Sequence, residues 1–340
     1  MYTGRRIFVA IGLVFLMTVA LVAGFGYYLV SPANEAGRDR VVLVPEGATL
    51  RQVASGLASK DVIRGKRLFL LWGRLTASGR EIKAGEYLLS SRMPPVEIMN
   101  VLRKGNVICH PLTIPEGYTA HQIAALLAEK HLLDAGSFQS VVFDPDSPKR
   151  YGLSAPSLEG FLYPDTYHFS RGLIASSVVQ TMVRRFFEVI APLREAIEQN
   201  SMALEQIVTI ASLVEKETGR AEERPLIAGV FLNRLNRGMR LASDPTVIYG
   251  IKEFDGNLTR NDLKDPTPYN TYVIRGLPPG PIANPGIEAI RAVLYPAETD
   301  YLYFVSKNDG THHFSETLSE HNRAVTVYQK NRAQMITRNP

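Results

Sequence analysis

The sequence predicts an α+β protein: a single transmembrane helix followed by an exported part of mixed helices and short strands. Three observations predict it. Residues Ile7 to Val30 contain no Asp, Glu, Lys, Arg or His. A strand-turn-helix unit occurs twice, at an offset of 70 residues. Beyond it, four segments with helical spacing precede one aromatic and β-branched run at Tyr301 to Val305. The 340 residues, 45% hydrophobic and 21% charged, exclude a disordered chain and allow about two domains at roughly 150 residues each. Lys and Arg (38) exceed Asp and Glu (33) by 5, but they are scattered rather than striped, which argues against nucleic acid as a partner. The one cysteine, Cys109, permits neither an intrachain disulfide nor a cysteine metal cage.

The apolar run of 24 residues exceeds the ~30 Å hydrocarbon core at ~1.5 Å per helical residue. A cleaved signal peptide would have an apolar region of ~7 to 15 residues and an Ala-x-Ala-like site, and neither is seen. Tyr27 and Tyr28 suit an interfacial belt. Arg5 and Arg6 lie closer to the span than Arg38 and Arg40, which favours a cytoplasmic tail over residues 1–6, a span over 7–30 and export of the rest. The chain is thus expected in the inner (plasma) membrane as a single-pass protein.

Residues 31–40 (SPANEAGRDR) read as a linker. The repeat follows: Val44-Pro45-Glu46-Gly47-Ala48-Thr49 through Ala54 matches Ile114-Pro115-Glu116-Gly117-Tyr118-Thr119 through Ala124. Each copy reads as a strand (Val41 to Val44; Leu112 to Ile114), a Pro/Gly turn and a helix capped by Thr49 or Thr119. In the first copy a helix (Arg67 to Leu75), a strand (Gly85 to Ser90) and a helix (Pro95 to Lys104) complete a domain ending near residue 108. Such a unit serves packing, or carbohydrate and partner binding. Farther on, helices are expected over Ala175 to Asn200, Leu204 to Thr218, Glu222 to Arg237 and Pro285 to Leu294, and a strand over Tyr301 to Val305. The proline-rich GLPPGPIANPG between Gly276 and Gly286 cannot be helical; it walls a groove or forms a surface connection.

Common catalytic signatures are missing. There is no Gly-x-Ser-x-Gly elbow, no phosphate loop and no His-Glu-x-x-His, and His312, His313 and His321 lack a ligand spacing. No metal or cofactor is expected. Cys109 and His110 would point to opposite strand faces. The helix ending Leu213-Val214-Glu215-Lys216-Glu217-Thr218-Gly219 holds the better candidates, because Glu215 and Glu217 flank the stripe of Ile207, Ile210, Ala211 and Val214 on opposite sides. Helical side chains lean toward the N-terminus, so Glu217 covers Leu213 and Val214 while Glu215 covers Ala211 and Ser212. Desolvation and the carbonyls of the helix end would both raise the pKa of Glu217, as a general acid requires, although a solvated Glu at a helix end is common. Asp244, Tyr249, Tyr269, Asn270 and Tyr272 carry hydroxyl, amide and stacking groups that suit sugar rings, and equally suit core aromatics and turns.

The chain resembles the YceG-like family, the MltG endolytic murein transglycosylases. The motifs that carry this are Glu159-Gly160-Phe161-Leu162-Tyr163-Pro164-Asp165-Thr166-Tyr167, Val214 to Thr218, Asn233-Arg234-Leu235, Asp244 to Gly250, Tyr269 to Tyr272, Gly276 to Ile282 and Tyr301 to Val305. The resemblance implies a LysM-like domain over 41–108 and a YceG-like catalytic domain over 109–335. It also implies a lyase that cleaves β-1,4 bonds between N-acetylmuramic acid and N-acetylglucosamine in nascent peptidoglycan, leaving 1,6-anhydro ends and ending strand elongation. The family's catalytic acid, the second Glu of Glu-Lys-Glu, maps to Glu217. Tyr269, Asn270, Asp244 and Tyr249 are then expected at the substrate and Glu215 behind the acid, with glycan strands, the membrane and elongation synthases as partners. The alternatives are a muramidase using Glu223 or Asp244 as a second carboxylate, and a non-catalytic glycan-binding scaffold.

Overall fold

The computed structural model describes residues 2–76 and 81–330. Helix α1 (Tyr2–Val30) contains the apolar stretch, and Ile7–Val30 is long and apolar enough to cross a membrane. Among the described residues the strands form three two-stranded sheets. They pair β1 (Asp39–Val44) with β2 (Gly85–Ser90), β3 (His110–Thr113) with β4 (Thr166–Phe169), and β5 (Tyr303–Ser306) with β6 (His312–Ser315). The chain divides into two compact units.

The first unit comprises Met1–Pro111, His131–Leu133 and His168–Ile174. Its antiparallel sheet pairs Val42 with Tyr87 and Arg40 with Leu89. The period of two buries Val42, Val44, Tyr87 and Leu89 and leaves Val41, Leu43 and Leu88 exposed on the opposite face. Helices α2 (Leu50–Ser59), α3 (Lys66–Leu75) and α4 (Pro95–Lys104) cover the inner face with Val53, Leu57, Phe69, Ile98, Met99 and Leu102. The segment read as a linker is tied to this unit: the Asn34 N–H donates to Ser91 O at 2.9 Å, and β1 already begins at Asp39. His110 meets Glu86 at 2.7 Å, and Arg171 meets the same carboxylate at 3.2 Å. Cys109 is exposed.

The repeat extends farther in space than in sequence. Thr49 with Gln52 and Thr119 with Gln122 form capping boxes at the starts of α2 and α5 (Ala120–Glu129). Gly47 and Gly117 turn at φ 78° and 75°, and Asp61 and His131, also 70 positions apart, sit at φ 55° and 53°. Each first helix is followed by another: α3 in the first copy, and α6 (Ala135–Val142) in the second, where the sequence reading placed none. Cap and turn geometry constrain residue type, whereas the second helix needs only some apolar face.

The second unit comprises Leu112–Lys130, Asp134–Tyr167 and Ala175–Pro340. The helix expected over 175–200 is interrupted. α7 (Ala175–Ile190) gives way to a 3-10 turn at Ala191–Leu193 and then α8 (Arg194–Gln199), since Pro192 has no N–H to continue the ladder. At the centre lies α9 (Leu204–Glu217), with α10 (Arg224–Asn236), α11 (Asp244–Gly250) and α12 (Ile287–Leu294) packed on it. Every residue from Ile207 to Val214 is buried, so the expected stripe is an all-round burial. The proline-rich loop neither walls the cleft described below nor runs over the surface. Ile282, Ala283 and Asn284 are buried, and the Ile282 N–H donates to Ser212 Oγ at 3.0 Å. α11, β6 and α13 (Leu318–Val325) were not anticipated, and β5 begins two residues later than expected.

Candidate active site

The last turn of α9 sends its two carboxyls to different places. Glu217 faces a cleft of about 470 Å³ lined also by Arg234, Asp244, Tyr272, Tyr303 and His312. Its Oε1 accepts from Ser243 Oγ at 2.5 Å. Ser243 is itself fixed, because its N–H donates to Thr271 Oγ1 at 3.0 Å and its carbonyl accepts from Thr246 Oγ1 at 2.6 Å. The preceding Ala242 takes φ +48°, a left-handed conformation costly for a residue with a Cβ. Burial pushes the Glu217 carboxyl above its ordinary value; the Ser243 hydroxyl pulls back, Asp244 pushes up, and His312 and Arg234 pull down. A carboxyl so held keeps its proton to higher pH and can deliver it to an oxygen in the cleft.

Glu215 turns to the other side. Its Oε2 accepts the Gly286 N–H, at the start of α12, at 3.0 Å, and Oε1 lies 3.6 Å from Arg224, which also approaches Glu116 at 3.8 Å. Burial raises this carboxyl too, against the Gly286 N–H. It does not line the cleft.

The residues expected to hold sugars separate. Asp244 lines the cleft and accepts from the Tyr272 hydroxyl at 2.6 Å. Asn270 is fully buried and spends its side chain on its own loop: Nδ2 donates to Asp265 O at 2.7 Å and Asp262 O at 3.1 Å, and Oδ1 accepts the Tyr272 N–H at 2.9 Å. It positions Tyr272 and has no amide atom left for a ligand. Tyr249 and Tyr269 pack with ring centroids 4.8 Å apart, and the Tyr249 hydroxyl donates to Glu159 Oε2 at 3.2 Å. Neither lines the cleft. Glu159 is buried and also accepts the Ala120 N–H at 3.0 Å and Asn284 Nδ2 at 2.9 Å. Burial pushes it up to about 7 despite those donors.

The sequence assigns no catalytic role to several side chains at the cleft, although Arg234 belongs to the Asn233-Arg234-Leu235 motif. Arg234 is buried, with Nε donating to Leu302 O at 2.6 Å and its guanidinium 5.3 Å from the Tyr303 ring. No carboxylate forms an ion pair with it among the described residues; burial pulls the guanidinium below its ordinary value, and Tyr303, Tyr272 and Glu217 push it back up. His312, dismissed as a metal ligand, binds Glu223 through its ring. An Arg inside an apolar helix is the sequence signal that was available for Arg234; for His312 and Ser243 nothing local distinguishes them. No cluster suited to a metal ion occurs among the described residues.

The YceG-like family model matches residues 42–327. The chain belongs to this family. An endolytic murein transglycosylase of Bacillus subtilis (strain 168) is 31% identical over 322 residues, covering 89% of this chain and 89% of that protein. One from Streptococcus pneumoniae serotype 2 is 29% identical and covers 95% of this chain but 65% of its own length. A crystal structure of a putative YceG-like protein from Listeria monocytogenes superposes with a TM-score of 0.59 at 34% identity, over 85% of this chain and 100% of that one.

Proposed function

We propose that this chain is an endolytic murein transglycosylase, a lyase that cuts β-1,4 bonds inside peptidoglycan strands, with Glu217 as its acid. The observation that carries the reading is the half-buried Glu217 carboxyl lining the cleft, hydrogen-bonded to Ser243, with Arg234 and His312 in the same lining. Glu217 protonates the oxygen leaving the anomeric carbon, while the muramoyl 6-hydroxyl attacks that carbon in place of water. The Glu217 carboxylate then recovers the hydroxyl proton, so one carboxyl serves where a hydrolase uses two. Tyr272, Tyr303 and Phe304 line the cleft and give it aromatic surface for the sugars. The reaction leaves a 1,6-anhydromuramoyl end and stops elongation of a nascent strand made by neighbouring synthases.

In this reading α1 anchors the protein with residues 1–6 in the cytoplasm and everything after the span outside it. The first unit serves as a LysM-like module that engages glycan without chemistry, its exposed Val41, Leu43 and Leu88 offering apolar contact. The test is mass spectrometry of uncrosslinked glycan strands digested by the full chain. Anhydro products, lighter by one water, support the reading. Reducing ends would instead make the protein a hydrolase, with Asp244 as the other carboxylate in the cleft.

A further inference from the structure

His312 opens β6 and lines the same cleft as Glu217. The Glu223 carboxylate grips it at two points. The His312 N–H donates to Oε1 at 2.7 Å, and ring Nδ1 meets Oε2 at 2.7 Å. Thr218, the residue after Glu217, donates its hydroxyl to the same Oε2 at 3.2 Å. The imidazole also packs edge-on against Phe304, 5.5 Å between centroids. Little freedom remains, and 12% of the side chain is exposed.

This clamp fixes the tautomer. Burial alone would push Glu223 up, but its hydrogen bonds with His312 outweigh that and hold the carboxyl below its ordinary range. An ionised carboxylate only accepts, so Nδ1 carries a hydrogen; when the ring holds one proton, Nε2 is the nitrogen left with a lone pair. A carboxylate that orients an imidazole beside a reacting hydroxyl is a recurrent way of preparing a base. Glu217 already has one oxygen on Ser243 and must stand at the leaving oxygen, which makes a second proton-handling group useful in the same space.

We infer that His312, oriented by Glu223, accepts the proton of the muramoyl 6-hydroxyl as that oxygen closes on the anomeric carbon. The inference rests on the transglycosylase reading and deepens it. The bond from O6 to the anomeric carbon forms and the bond from that carbon to the leaving oxygen breaks. The leaving oxygen takes the Glu217 proton, Nε2 takes the O6 proton, and the imidazolium returns it to the Glu217 carboxylate directly or through solvent. No water is consumed.

The test uses the full chain in detergent with uncrosslinked glycan strands and compares His312→Asn, His312→Ala and Glu217→Gln. The Asn variant keeps an amide N–H toward Glu223 and lacks the Nε2 acceptor, which separates lost chemistry from lost folding. The expected result is a ~10²- to 10⁴-fold fall in kcat with KM within about threefold. Added imidazole should restore turnover to His312→Ala and not to Glu217→Gln. A folded His312→Asn protein within about threefold of the parent would overturn the inference. So would a loss that imidazole does not restore, which would make His312 a structural clamp. Full activity in Glu217→Gln would instead remove the reading beneath it.

Discussion

Glu215 and Glu217 lie two residues apart on one helical turn, yet they belong to opposite faces of α9 and to different kinds of environment. On the Glu215 side, a backbone N–H from the start of α12 and the Arg224 guanidinium meet the carboxylate, a set of donors that suits a permanent charge. On the Glu217 side the direct partner is a neutral hydroxyl, another carboxylate stands near, and the remaining face opens to a cleft. Burial raises both groups, so a raised pKa does not distinguish an acid from a clamp. What separates them is the uncommitted face: one carboxyl has an opening through which a proton can leave, and the other has its oxygens turned to α12 and Arg224.

The comparison breaks most sharply at Glu217→Gln, which should lower formation of anhydro ends by at least ~10²- to 10⁴-fold while leaving the melting curve near the parent's. Glycan digestion followed by mass spectrometry reads this, and a folded variant with near-normal turnover would remove Glu217 from the chemistry. Glu159, buried but away from the cleft, should report on stability instead. Its carboxyl rises from 4.5 to about 7 on folding, so the folded state retains a proton that the unfolded chain releases. The contribution is full below about pH 4.5 and is lost as pH rises through about 7, a change of about 3 kcal/mol. Urea titrations at pH 5 and pH 8 should show that slope in the parent and a flatter one in Glu159→Gln.

Glu215→Gln keeps an acceptor for the Gly286 N–H but removes the charge facing Arg224. It should cost about 1–3 kcal/mol in thermal or urea unfolding, with turnover reduced less than about tenfold. A larger catalytic loss here than at Glu217 would reverse the two roles. Ser243→Ala sharpens the contrast on the Glu217 side. With Glu217 as the proposed acid, activity should decline as pH rises through its pKa, and removing the hydroxyl that favours the charged form should move the alkaline limb of the rate profile to higher pH. An unmoved limb would show that another group titrates. The smallest effect is expected at Ala242→Gly, which relieves the left-handed φ beside Ser243 and should stabilise by about 0.5–1 kcal/mol in a melting experiment.

Local rules made much of this protein legible. The uncharged run from Ile7 to Val30, the capping boxes at Thr49 and Thr119, the Pro/Gly turns and the strand and helix at Gly85–Ser90 and Pro95–Lys104 each follow from residues within a few positions of one another. So did the divergence of Glu215 and Glu217, since 100° per residue is a property of the helix alone. Elements whose signals were faint escaped: α6 is short, α11 hides behind Asp244-Pro245, and β6 matters because β5 lies beside it.

The sequence by itself determined the apolar span, the repeated cap and turn, and the turn of helix on which the candidate acid sits, because spacing, capping and hydropathy act over a few residues. Only the tertiary structure decided what surrounds that acid. Ser243, Arg234 and His312 come from 17 to 95 positions beyond Glu217, and Asn270, chosen for its chemistry, was spent on its own loop. Whether a polar side chain reaches a ligand or is consumed by a neighbouring backbone group depends on which distant segment packs against it, and no local pattern records that choice.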